Sequence, residues 1–207
     1  MALVKHGQSF KTMAITINGN GTVTGISVGG LPDGCVDADT LASGAGGITE
    51  ADSWRLNDDT SFGTGTNTID SNWERDDTNF ELIGTGLSHN GSGKFGFQVT
   101  GKYLLTFFYS GAILSGNDAF YAGIRVYLAT DGINGTYNEI VQSLDSVKGI
   151  SSSSTYAAGS SQKILDVTNT NTYFYLAAYT TGSVTWRLDA QTARNHNGFT
   201  SIKLGDT

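Results

Sequence analysis

Two short strings in the chain match spacings that carry chemistry in enzymes. Gly25-Ile26-Ser27-Val28-Gly29 fits the G-x-S-x-G spacing of a nucleophile elbow, where a sharp strand-to-helix turn exposes a serine to a histidine. Its neighbours read as strand and no helix is expected after it, so the serine lacks the context that would activate it. Gly91-Ser92-Gly93-Lys94-Phe95-Gly96 fits G-x-G-x-x-G. A dinucleotide site needs a helix N-terminus there to receive the pyrophosphate, yet Phe97-Gln98-Val99-Thr100 reads as strand, so the glycines mark a turn. His6, His89 and His196 lie far apart with no ligand spacing, and no zinc pattern is present. Asp58-Asp59, Asp70, Glu74 and Asp76-Asp77 form a dense acidic region of the kind that hard cations favour. It lacks the D-x-[DN]-x-[DN]-G loop, and solvated acidic loops are the expectation. Trp54, Trp73 and Trp186 are either a sugar-stacking platform or core anchors, with anchoring the default among strands. No catalytic residue, cofactor or metal is expected.

The elements that would position these residues are strands. Phe95, Phe97 and Val99 alternate with Lys94, Gly96 and Gln98, the period of a half-buried strand. Phe120, Ala122, Ile124, Val126 and Leu128 share one face of the next long strand, with Tyr121, Arg125 and Tyr127 on the other. Lys163–Val167, Thr172–Tyr179, Val184–Leu188 and Phe199–Leu204 complete the set, and no segment shows a 3.6-residue period. The chain has 28 Gly and one Pro among its 207 residues, which fits many tight turns. Asn20, Asn90 and Asn134 each open an Asn-Gly-Ser/Thr triplet, read as turns rather than glycosylation acceptors. An all-β sandwich or jelly roll is therefore predicted over residues 49–207. Residues 1–48 form an N-terminal arm with too few large side chains to bury a core of its own.

Charged residues make up 15% and aromatic residues 11%, a balance that argues for a folded chain. A net charge of −7 with only 12 basic residues argues against nucleic acid as a partner. The longest apolar run, around Tyr103–Tyr109, is too short to cross a bilayer, so no membrane insertion is expected. A single cysteine, Cys35, and no apolar stretch after Met1–His6 lead to the expectation of synthesis in a cytoplasm. Tyr103–Tyr109 and Tyr173–Tyr179 are apolar on both faces, whereas a sandwich strand ordinarily keeps one face wet. Either loops cover the second face or copies of the chain do. Self-association is the simpler expectation, with Tyr103, Leu105, Phe107, Tyr109, Tyr121, Tyr127, Tyr173, Tyr175 and Tyr179 at the interface.

Trp54-Arg55-Leu56, Asn72–Asp77, Gly84–Ser88 and Gly93–Phe107 follow one another in series, and Ala129–Gly132, Leu165–Thr170 and Phe199–Thr207 continue the run. Together they resemble the C1q/TNF-like jelly-roll domain of tailed-bacteriophage virion proteins, over about three quarters of the chain. Thr22–Ala42 resembles the N-terminal piece of phage structural proteins. The resemblance implies a homotrimer of ten-stranded protomers, and assembly or binding rather than catalysis. It implies a virion location after synthesis in the host cytoplasm. The favoured expectation is a capsid cement or decoration protein, its partner the major capsid protein. The arm would grip the particle through Phe10, Ile15, Ile17, Val23, Ile26, Val28 and Leu31. The alternative is a short tail-fibre head, joined to a tail component and binding a host surface receptor or glycan. Fibre heads ordinarily sit on a long shaft, and only about 48 residues precede the head here, which favours cement.

Overall fold

In the computed structural model the described residues are 47–76, 82–114, 118–149 and 153–207, together with the backbone of 16–17 and 23–24. The chain divides into two compact units, Met1–Gly47 and Ile48–Thr207. In the first, β1 (Thr16–Ile17) pairs antiparallel with β2 (Val23–Thr24), setting Ile17 opposite Val23. Side chains of all seven arm residues named above lie outside the described residues.

The second unit holds thirteen strands, β3 to β15, and no helix among its described residues. They form two antiparallel sheets. The first runs β6 (Trp73–Arg75), β3 (Ala51–Leu56), β15 (Gly198–Gly205), β9 (Gly101–Ile113), with β12 (Thr155–Val167) on the far side of β9. Where β15 ends, β14 (Trp186–Leu188) and β4 (Thr60–Phe62) carry the sheet onward beside the end of β9. The second sheet runs β11 (Asn138–Val147), β10 (Ala119–Ala129), β13 (Tyr173–Thr180), β8 (Lys94–Phe97), β7 (Leu87–His89), with β5 (Gly65–Thr68) beside the last residues of β13. The ten strands implied by the resemblance are exceeded by three, the short β4, β5 and β14 being extensions of longer neighbours.

Between the sheets lies an aromatic core centred on Phe95. Its ring packs against Phe199 at 4.7 Å, Trp73 at 5.1 Å, Trp54 at 5.2 Å and Phe174 at 5.6 Å. Trp54, Trp73 and Trp186 all pack into this core, as anchors rather than as a surface platform. β9 alternates strictly, Tyr103, Leu105, Phe107 and Tyr109 being buried and Lys102, Leu104, Thr106 and Phe108 lying on the other face.

Candidate functional site

Ion pairs with arginine engage three of the six acidic residues that the sequence brings together, Asp59, Glu74 and Asp76. Asp52 sits in the core wall and accepts four bonds: from Trp54 Nε1, from the Leu87 amide, and from Nε and Nη2 of Arg75. Because Asp52, Arg75 and Leu87 belong to β3, β6 and β7, one carboxylate ties three strands. Arg55 is wholly buried and pairs with Asp76 at 2.7 Å and Glu74 at 3.3 Å, while Asn195 donates to the other Asp76 oxygen. Glu50 accepts from the amides of Thr85 and Gly86. Asp59 accepts from the Ala190 amide and faces Arg187 at 3.5 Å.

The expectation of a solvated acidic loop is therefore corrected for Glu74 and Asp76, since each charge faces buried Arg55. Asp58 and Asp70 are exposed, and Asp77 lies outside the described residues. No group of three or more His, Cys, Asp or Glu poised for a metal occurs among the described residues. His89 stacks on Phe95 at 4.7 Å, and its Nε2 accepts from the Gly93 amide; burial lowers its pKa. Gly91 and Gly93 lie in the β7–β8 turn and Gly96 within β8, opposite Ser88. Ser27 and His6 lie outside the described residues.

The nine residues expected at a self-association surface divide into two groups. Tyr103, Leu105, Phe107 and Tyr109 point into the protomer's own core, at 0–3% exposure. They have no surface to offer a partner, and that part of the expectation is corrected. Both faces of β9 are apolar, and the face that meets Phe199 and Phe174 is the one that carries these four. The other face holds a different set. Ile83 pairs with Ala51, Ala51 with Ile202, Ile202 with Leu104, and Leu104 with Ile164, giving one aliphatic row straight across the first sheet. Ile164 is 64% exposed and Ile83 39%, and Tyr156 stands out at 63% on the same face of β12. Beside the row runs a shallow groove lined by Phe108, Ser110, Ala158, Ser160 and His196.

Tyr121, Tyr127, Tyr173, Tyr175 and Tyr179 occupy the outward face of the second sheet. Register sets Tyr127 opposite Tyr175, and Gly123 opposite Tyr179. The Tyr127 and Tyr175 rings lie 5.0 Å apart and near parallel at 13°, with Tyr137 also at 5.0 Å from Tyr175. Burial, followed by the neighbouring Tyr175, Tyr173 and Asp131, pushes the Tyr137 phenol up to about 12. Arg125 lies over Tyr179, its guanidinium carbon 3.5 Å from the ring centroid. Lys94 lies 5.0 Å over the Tyr137 ring.

One feature of this face departs from the sequence expectation. Strict alternation from Ile124 puts Phe120 in the core, but Phe120 is 73% exposed and Ala119 takes the inward place. A β-bulge between Ala119 and Ala122 is the cause, inserting a residue so that Phe120 and Tyr121 both face solvent. The bulge is held by two bonds to Thr181: the Tyr121 amide donates to Thr181 Oγ1, and the Thr181 amide donates to the Tyr121 carbonyl, each at 2.9 Å.

Comparison with known proteins places the architecture. No protein-family model matches the chain, and no curated protein matches it. Among solved structures, the chain is similar to Eiger TNF from S. frugiperda, at 14% identity, covering 78% of this chain and 96% of that one with a TM-score of 0.50. It is also similar to murine APRIL (17% identity, 75% and 98% covered, TM-score 0.44) and to the globular domain of zebrafish complement 1qA (12% identity, 77% and 99% covered, TM-score 0.38). Residues 48–207 thus have the C1q/TNF-like jelly-roll fold, two antiparallel sheets around one aromatic core.

Proposed function

We propose that this chain is a non-enzymatic structural protein of a bacteriophage particle, homotrimeric through its jelly roll and attached through residues 1–47. The observation that carries the self-association is the aliphatic row Ile83–Ala51–Ile202–Leu104–Ile164, in which Ala51 is buried, Ile202 and Leu104 are half-buried, and Ile83 and Ile164 at the two ends stand in water. The sequence resemblance supplies the threefold symmetry and the virion. Of the two particle roles, capsid decoration is favoured. Residues 1–47 are rich in small and polar side chains, and such a segment gains burial by lying against a neighbouring subunit.

The surface assigned to self-association is now the aliphatic face of the first sheet instead of the tyrosine face. Aliphatic side chains ask only to leave water, and each Å² of them removed is worth roughly 25 cal/mol. Light scattering on the purified chain should give three times the protomer mass. Ile164→Lys combined with Ile202→Lys should give monomers with unchanged secondary structure. A trimer that survives both charges removes this face from the interface. Quantitative mass spectrometry of purified particles separates the roles: hundreds of copies per particle fit decoration, and a dozen or fewer fit a tail component.

A further inference from the structure

We propose that the outward face of the second sheet binds an acidic glycan, its carboxylate on Arg125 and its sugar rings along Tyr121, Tyr179, Tyr127 and Tyr175. The inference deepens the reading above at one point only, since it requires this face to stay uncovered when the first sheet is covered.

Among the described residues Arg55, Arg75 and Arg187 each hold at least one short ion pair. Arg55–Asp76 and Arg187–Asp189 measure 2.7 Å, and Asp52 holds Arg75 at 2.9 Å. Arg125 is different. Its Nη1 reaches Glu139 at 3.4 Å and Thr66 at 3.5 Å, both near the limit of a useful contact, and its Nε is buried without a partner. Tyr127 reaches the same Glu139 oxygen at 3.3 Å. A guanidinium has five donors in a planar fork suited to a carboxylate. Here the guanidinium rests over the Tyr179 ring and makes only long contacts within the protein. Because Nε is buried, a ligand carboxylate would take its donor pair from the two terminal nitrogens, competing with one slack contact to Glu139.

The surroundings fit a sugar better than a peptide or an aliphatic chain. Tyrosine combines an apolar ring, on which the C–H face of a pyranose can pack, with a hydroxyl that exchanges hydrogen bonds with sugar hydroxyls. From Tyr121 to Tyr127 the stripe follows β10 for six residues, roughly 20 Å. Gly123 lies midway, where a Cβ would collide with the Ser143 carbonyl, so the stripe dips between Tyr121 and Arg125. Thr66, Thr68 and Gln142 flank it through their pairing with Tyr179, Ala177 and Arg125. The bulge extends the stripe by adding Phe120 at its far end, and its two bonds to Thr181 keep that end rigid. Rigid aromatic side chains lose little entropy when a ligand settles on them.

The test uses the full chain in its native assembly and three probes: a hexamer of galacturonate, a sialylated oligosaccharide and neutral maltohexaose, titrated by calorimetry at low salt. At least one acidic probe should bind ten times more tightly than maltohexaose. Arg125→Gln should weaken that binding at least tenfold, and Tyr121→Ala, at an exposed position, by a few fold with no change in melting. Rising salt should weaken binding to the native protein and leave the remnant in Arg125→Gln unaffected. Equal affinity for maltohexaose, no binding of either acidic probe, or full binding by Arg125→Gln overturns the proposal. Light scattering on the same samples keeps the two readings apart: loss of the trimer with binding retained strikes only the self-association surface.

Discussion

Replacing Asp52 with asparagine removes one charge and almost no volume, so it isolates what the carboxylate does. In the native protein Oδ2 accepts from the Leu87 amide at 2.8 Å, Trp54 Nε1 at 3.0 Å and Arg75 Nη2 at 3.1 Å, while Oδ1 accepts from Arg75 Nε at 2.9 Å. An asparagine placed with its oxygen at the Oδ2 position keeps the bonds to Leu87 and Trp54, now between neutral groups. Charge-assisted bonds are about twice as strong as neutral ones, so these two lose about 1 kcal/mol each. The amide nitrogen then faces Arg75, which is one-third exposed and can turn to water, adding about 1 kcal/mol more after screening. The sum is about 3 kcal/mol, and for a domain of this size the melting temperature should fall by about 6–12 °C. Urea denaturation followed by tryptophan fluorescence, at one fixed protein concentration, measures it directly. Asp52→Ala should cost more, because it leaves Trp54 Nε1 and the Leu87 amide buried without an acceptor. A loss below about 1 kcal/mol for the asparagine, or an alanine variant as stable as the asparagine one, would refute the view of Asp52 as the tie between the sheets.

Other expectations follow from single residues. Burial lowers the pKa of His89 from 6.5, so its contribution is complete above pH 6.5 and lost as pH falls through the lowered value. His89→Phe should flatten the melting curve in that acidic window, and an unchanged slope would assign the acid sensitivity elsewhere. Burial first, then Glu50, pushes Tyr103 up to about 12, where Tyr137 also stands. Both phenols stay neutral in the fold while free tyrosine ionises at 10, so stability should decline between pH 10 and 12. Burial also raises Tyr109 and Tyr175, so ultraviolet titration should show four of the nine tyrosines ionising late; simultaneous ionisation of all nine would contradict their burial. Gly93 has φ +75, and a Cβ there would collide with the Ile69 carbonyl, so Gly93→Ala should cost about 2–4 kcal/mol by denaturation. A neutral substitution would show that the turn can move aside.

Much of the fold can be read from the sequence because the strands that make the core alternate strongly. β8, β13 and β15 are found where Phe95, Phe174 and Phe199 announce them, and all three rings meet in the core. β11 is missed, because Asn138–Val147 is an edge strand whose exposed and half-buried residues show no clean period. The choice of face on β9 fails for a different reason. With Tyr103-Leu104-Leu105-Thr106-Phe107-Phe108 apolar in both parities, only the partner strands decide which set turns inward. Arg55, Glu74 and Asp76 look like scattered surface charges because the pairing that joins them is made by β3 meeting β6. Phe120 is misplaced because parity counting assumes an unbroken ladder. The bulge at Ala119–Ala122 shifts the count by one, and no residue there announces it.

The two outward faces of the head ask for different things from whatever covers them. A copy of the chain laid on Ile83, Ile202, Leu104 and Ile164 has only to exclude water. Laid on the tyrosine face, it would have to find partners for phenol hydroxyls or bury them unpaired, at about 1–3 kcal/mol each. Two phenols already have partners within the protomer, Tyr127 on Glu139 and Tyr137 on the Ile133 carbonyl, so a rigid neighbour would compete with bonds the fold has made. A sugar faces no such conflict, because its hydroxyls both donate and accept and can take up whatever a phenol leaves free. The arrangement therefore makes the two surfaces separable. Charges placed at Ile164 and Ile202 should dissolve the assembly and leave the acidic-glycan affinity of each protomer within twofold. Arg125→Gln should do the reverse. If either substitution abolishes both properties, the faces are one interface and the division of labour between the sheets is wrong.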